Sequence, residues 1–278
     1  MTASSLAFPH ETGAIPAIGF GTGAMTGGMS VDAVAAALKA GYRHIDTARK
    51  YGSEPAVGEA MRASGLPRRD IFLTSKVSHE NLRPADFARS VDQSLAALKV
   101  DYLDLLLVHW PNPDIAVRDY MPALAKARRQ GLARHIGVAN FTTRLLEEAV
   151  ALCPEPLAVL QAEYHPYLEQ TKLLAEARKH GLVYTAHCPV ARGRLFDDPV
   201  LAGIARARGR TVAQVALRWL IQQNVAAIPF SSKPQRIAEN FAVFDFTLTD
   251  DEMKRIAALK RADGRVADPA GRVPGGWD

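Results

Sequence analysis

The chain has only two cysteines, Cys153 and Cys188, with no CxxC pair and no histidine or cysteine at zinc-finger spacing. That excludes a disulfide framework and a structural zinc site, no metal is expected, and the default is a pair of reduced cytosolic thiols. Long apolar runs are missing too: none reaches bilayer-spanning length. The opening stretch MTASSLAFPHETGAIPAIGF lacks both the basic start and the continuous apolar core of a secretory signal. A soluble, cytoplasmic protein without a membrane partner is the expectation. Single-sign charge blocks are also absent. The formal charge of +5 and pI near 9.3 arise from arginines interleaved with acidic residues, which argues against a nucleic-acid partner and leaves an anionic small ligand open. Without linkers, low-complexity tracts or residue-level repeats, the 278 residues read as one domain, 1–278, monomeric or weakly self-associating.

What is present is alternation. Short β-like runs at 18–22, 44–47, 71–76, 102–109, 135–139, 158–163, 183–187 and 225–229 are separated by amphipathic helical segments, the pattern of βαβ units around a parallel sheet. Helices at 30–40 and 53–64 are each opened by a serine suited to N-capping and closed by Gly41 or Gly65 at the C′ position. The third helix places Phe87, Val91, Leu95 and Leu98 on one face. Thr249 with Glu252 forms a capping box that starts an additional C-terminal helix beyond the repeat. Eight such units in this length fit an α/β fold of the (β/α)8 TIM-barrel type, with a doubly wound sheet as the rival. The glycines decide between them. GFGTGAMTGG at 19–28 does not place GxGxxG in a strand-to-helix turn, because a loop intervenes before the helix.

In such a barrel the C-terminal strand ends converge on one mouth. Asp46 ends the second run and Tyr51 follows in its loop; Lys76 ends the third, and His109 ends the fourth after LDLLLV. Each has a bland reading: Asp46 as a cap, Lys76 as a snorkelling amine, His109 as a core histidine. Together they suit the protonation of a developing alkoxide. An ammonium lowers the pKa of a nearby phenol, an aspartate holds the ammonium in place, and a histidine orients the substrate oxygen.

The segments GYRHIDTARKYGSE, LTSKV, DYLDLLLVHWP, IGVANF, QAEYHPYL and RIAENFAVFDFTLT together resemble the aldo-keto reductases, in family order, from about residue 8 to the C-terminus. The short tail and SSKP look most like the bacterial branch that includes 2,5-diketo-D-gluconate and methylglyoxal reductases. The resemblance implies a barrel that binds NAD(P)H across its C-terminal face and reduces small or polar carbonyl substrates. Tyr51 would be the acid, Lys76 and Asp46 would tune it, and His109 would orient the carbonyl. The implied cofactor path takes in Gly21, Thr22, Asp46, Asn140, Gln161, His187, Ser231, Ser232, Lys233, Arg236 and Asn240, with Arg192 either at the pyrophosphate or a surface charge.

Several positions depart from the family pattern. Ala139 stands where serine is common, His187 where a stacking tyrosine is common, and Phe230 where a lysine often meets the 2′-phosphate. Ser78 replaces a pocket tryptophan, while Trp110 is retained, which leads to an expectation of a wider, more polar substrate pocket. NADPH is the expected cofactor, with NADH left open. The alternative function is a catalytically weak NADP(H)-binding regulatory barrel.

Overall fold

A computed structural model of the chain describes residues 5–269 and 272–278, apart from positions 24 and 26. Eight parallel strands run in sequence order around one sheet: β3 (Phe20–Gly21), β4 (His44–Asp46), β5 (Phe72–Val77), β6 (Leu103–Val108), β7 (Ala133–Ala139), β8 (Val159–Glu163), β9 (Val183–His187) and β10 (Val225–Ala227). The ring closes through a parallel bridge between Ile18 and Ala227 and through Gly19 N–H to the Ala227 carbonyl at 2.8 Å. The sheet is therefore a barrel, and the expected strands at 18–22 and 225–229 are shorter in the structure. No helix among the described residues is long and apolar enough to cross a membrane.

Helices α1 (Gly28–Ala40) to α6 (Thr171–Lys179) each follow one strand. Between β9 and β10 there are two, α7 (Pro199–Arg208) and α8 (Val212–Ile221), where the sequence reading had one; α9 (Pro234–Phe241) completes the repeat. The extra helix α10 (Asp250–Ala257) starts at the expected Thr249–Glu252 capping box. Phe87, Val91, Leu95 and Leu98 of α3 (Pro84–Leu98) are all buried. The serine caps fail. Ser30 lies inside α1, and Ser53 precedes α2 (Glu54–Ala63) without capping it, because its buried hydroxyl bonds instead to those of Thr22 at 3.2 Å and Thr47 at 3.1 Å. The closing glycines do adopt left-handed backbone, with φ of 111° at Gly41 and 69° at Gly65.

An antiparallel hairpin, β1 (Ser5–Ala7) with β2 (Ala14–Pro16), was not expected. It covers the N-terminal mouth of the barrel. Phe8 and Ile15 are buried there with Leu105, Leu107 and Val159, and the Phe8 ring lies 4.4 Å from that of His135. The opposite mouth is left open.

Close approach between layers distinguishes two helix glycines. A Cβ on Gly58 of α2 would stand 2.2 Å from the Leu98 carbonyl oxygen at the end of α3, whereas one on Gly203 of α7 would meet nothing within 4 Å. Alanine is a better helix former than glycine by about 1 kcal/mol, so the two substitutions differ in sign. In urea unfolding, Gly203→Ala stabilises by up to about 1 kcal/mol, and Gly58→Ala destabilises by about 1–3 kcal/mol through overpacking.

Candidate active site

The four residues expected at strand ends meet at the open mouth. Asp46 is the last residue of β4, and the chain then makes a 3-10 turn, Arg49–Tyr51, closed by Gly52 at φ 70°. That turn brings Tyr51 back over the strand ends. Lys76 lies in β5 with its side chain fully buried, and its ammonium contacts Asp46 Oδ1 and donates to the Thr47 carbonyl at 3.0 Å. Asp46 Oδ2 accepts from Gln161 Nε2 at 2.8 Å. His109 follows β6, its N–H bonded to the Val77 carbonyl at 2.9 Å. The Tyr51 hydroxyl is 3.3 Å from His109 Nε2, and Lys76 Nζ is 5.3 Å from the centre of the Tyr51 ring. Gly23 leaves room for the phenol: a Cβ there would be 3.2 Å from Tyr51 Cζ.

Electrostatics at the site depart from the sequence reading in one respect. Burial raises the Tyr51 pKa, and the Lys76 ammonium, which pulls it down, does not outweigh that burial. The phenol is thus firmly protonated in this state, where a lowered pKa was expected. For Lys76 burial favours the neutral amine, but Asp46 and Tyr51 together reverse this and the net shift is upward. His109 is held well below the ordinary imidazole range, first by burial and then by the positive charge of Lys76. His187 is lowered to about 4, again chiefly by burial. Both imidazoles are neutral at pH 7.

A second chain of contacts joins three more of the expected residues. Asn140, at a left-handed φ of 61°, donates its amide to the His109 carbonyl at 2.9 Å, and its Oδ1 is 2.7 Å from His187 Nε2. Because Asn140 uses its NH2 on His109, His187 is the donor and carries its proton on Nε2.

All of this opens into a cleft of about 1470 Å³, above the roughly 300–1,000 Å³ of most small-ligand pockets. Gly21, Asp46, Tyr51, His109, Trp110, Asn140, Gln161, His187, Arg192, Ser231, Ser232, Lys233, Arg236 and Asn240 line it. Among the described residues, Arg192, Lys233 and Arg236 have no carboxylate within 4.0 Å. Lys76 lies beneath the floor. Two expected residues do not reach the cleft. The Thr22 hydroxyl turns to the Asp46 carbonyl and to Ser53, both at 3.2 Å. Ser78 is buried, bonds to the Glu80 carboxylate and does not line the cleft.

Sequence reasoning missed other parts of the wall. Gly23, Lys50, Cys188 and the segment Val266, Ala267, Asp268, Pro269 and Arg272 line the cleft. The Trp277 ring stands 6.0 Å from that of Trp110. The short tail thus supplies one side of the pocket. The glycine pair before Trp277, with φ of 83° and 80°, was the available signal, since it turns the chain back on itself.

Comparison with known proteins agrees with this geometry. The Aldo/keto reductase family profile matches residues 17–261. The chain is similar to the methylglyoxal reductase DkgB of Escherichia coli O157:H7, 40% identical over 268 residues that cover 95% of this chain and 100% of that protein. It is 39% identical to aldo-keto reductase family 1 member A1 of Xenopus tropicalis, covering 89% of this chain and 86% of that one. A crystal structure described as a putative 2,5-diketo-D-gluconic acid reductase B superposes with a TM-score of 0.95 at 46% identity, over 99% of this chain and 98% of that chain. With the profile spanning most of the barrel and relatives matched end to end, the chain belongs to the aldo/keto reductase family of oxidoreductases.

Proposed function

We propose that the protein reduces aldehyde or ketone groups of small or polar carbonyl substrates to alcohols, with NADPH as the preferred cofactor. The observation that carries this reading is the Tyr51 hydroxyl 3.3 Å from His109 Nε2, with the Lys76–Asp46 pair directly behind it. A protonated phenol is the acid, and an ammonium stands ready to stabilise the phenolate left when the proton departs. His109, neutral, hydrogen-bonds the substrate oxygen beside the phenol and fixes its orientation. Asp46 keeps Lys76 charged and in place.

The residues present suit a nicotinamide dinucleotide, which when bound supplies the hydride. Asn140 and Gln161 offer amide groups for its carboxamide at the floor of the cleft, and His187, tethered through Nε2, presents its ring there. Lys233 at the N-cap of α9 and Arg236 in its first turn, free of carboxylate partners among the described residues, lie beside Ser231 and Ser232 of the preceding loop. Ser231 Oγ already accepts the Lys233 N–H at 3.1 Å, which orders the turn into α9. Phe230, 41% exposed at the cleft edge, contributes no charge, so the preference for NADPH rests on its neighbours. Arginine binds phosphate bidentately. The regulatory alternative is less well supported, because it has no use for an intact proton donor. Trp110 beside Trp277 bounds the substrate side, consistent with small carbonyls such as the methylglyoxal named in a relative's description.

NADPH consumption with methylglyoxal tests the acid. Tyr51→Phe lowers kcat by about 10²–10⁴-fold and leaves the Kd for NADPH within about a factor of two; retention of more than about a tenth of kcat removes the phenol from the mechanism. The cofactor assignment is read from kcat/KM for NADPH over NADH. One or two charge-assisted hydrogen bonds give a ratio between about 10 and 1000, towards the lower end, and Arg236→Ala shrinks it; a ratio near one in the parent enzyme overturns the assignment. The pH profile has a defined sign as well. With Tyr51 raised and His109 lowered, kcat/KM is flat from about pH 6 to 8 and falls only on the alkaline side, as the phenol loses its proton. A decline centred near neutrality would instead assign the acid to a histidine.

A further inference from the structure

One buried carboxylate has no part in this mechanism. Glu163 ends β8 two residues beyond Gln161, so strand alternation points it to the same side, at the barrel mouth. It is fully buried, and three donors converge on it: the N–H of Val266 at 2.7 Å, the N–H of Ala267 at 2.8 Å and His165 Nε2 at 2.8 Å. Arg265 Nη1 lies 4.0 Å away. Burial alone pushes this carboxyl up, but the donors outweigh it and its pKa falls below the usual value. An ionised carboxylate is thus satisfied largely by the backbone of a segment outside the barrel repeat.

That segment is a strap across the mouth. After the Val266–Ala267 anchor it lines the cleft, and Trp277 near its end stands beside Trp110. Arg265 links the two points, since its guanidinium lies 3.6 Å over the Trp277 ring while facing Glu163. Trp277 Nε1 donates to Asp268 at 2.8 Å, and the Asp278 side chain accepts from Thr143 N and Oγ1, both at 2.7 Å. Among the described residues, no hydrogen bond of the strap goes to Asn140, Gln161 or the loop at 230–240.

We propose that Glu163 is a positioning residue for the carbonyl substrate: its carboxylate pins the Val266–Ala267 backbone and so holds the strap that brings Trp277 to Trp110. The group never touches the reacting atoms. A carboxylate is required because its two oxygens accept three donors, whereas a glutamine offers one oxygen and turns an NH2 towards a backbone N–H. The kinetic consequence rests on the reductase reading above; the anchoring does not.

Glu163→Gln preserves volume and removes the charge. In this variant KM for methylglyoxal rises about tenfold or more, while kcat stays within about threefold and the Kd for NADPH, read by fluorescence quenching, is unchanged. Trypsin also cuts the folded variant faster at Arg265 and Arg272 than it cuts the parent. Ala267→Pro removes one N–H from the strap and leaves the barrel sequence intact; it reproduces both effects and decides the matter if Glu163→Gln does not fold. Unchanged KM with unchanged cleavage overturns the proposal, as does a loss confined to kcat or to NADPH affinity. Faster cleavage in a protein whose parent turns over no carbonyl sinks the reductase reading and the substrate half of the proposal, and leaves the anchor standing.

Discussion

The site depends on the ion pair between Lys76 and Asp46. Both side chains are withdrawn from water, and an isolated buried charge is costly, so each holds the other ionised. Removing one partner of such a pair costs about 3–5 kcal/mol because the survivor is left uncompensated. The surroundings are built around this requirement. The Thr47 carbonyl accepts a second hydrogen bond from the Lys76 ammonium and Gln161 donates to the far oxygen of Asp46, so residues from three separate strand units are drawn to one point. Tyr51 then needs only a single short turn to lie over the ammonium.

A second constraint is the absence of solvent. Burial moves Tyr51 up and His109 down, in each case towards the neutral form. Neutral partners are what a proton donor and an uncharged hydrogen-bond donor need to be at the start of a reduction. Lys76 keeps its charge because Asp46 and Tyr51 together reverse the effect of burial. The same low-dielectric floor thus sets two protonation states directly, and the third is set against it by its neighbours.

Much of this was legible in the chain because period and punctuation agree. LDLLLV, in its place in the alternation, reads as a strand buried on both faces, and His109 directly after it sits at the mouth. Tyr51 was placed because it follows Asp46 in the loop after the second run, and its role came from the family resemblance. The hairpin was not legible, because strands of three residues carry too little alternation to stand out. Helix α7 was overlooked because its ten residues directly precede another helix with no strand between them. The Ser53 cap failed because its hydroxyl finds buried partners away from the helix terminus, and the Ser30 cap because α1 starts two residues earlier, at Gly28. Ser78 was assigned by position alone, and only coordinates reveal that its hydroxyl faces Glu80. The tail's part in the wall was not legible, because wall-forming capacity depends on where a chain is anchored, here at Glu163.

The hairpin beneath the barrel has a kinetic meaning. Its buried residues, Phe8 and Ile15, pack on Leu105, Leu107 and Val159, and the strand that follows it closes the ring against Ala227. None of these partners exists while the N-terminal residues emerge from the ribosome. The segment can pair only within itself until those strands are made, and the closure of the ring at Ile18 and Gly19 waits for the last of them. Such non-local closure pays its loop entropy before any contact rewards it. The ring therefore closes through contacts between the two ends of the fold, so the N-terminal residues complete the barrel only once the last strand is present.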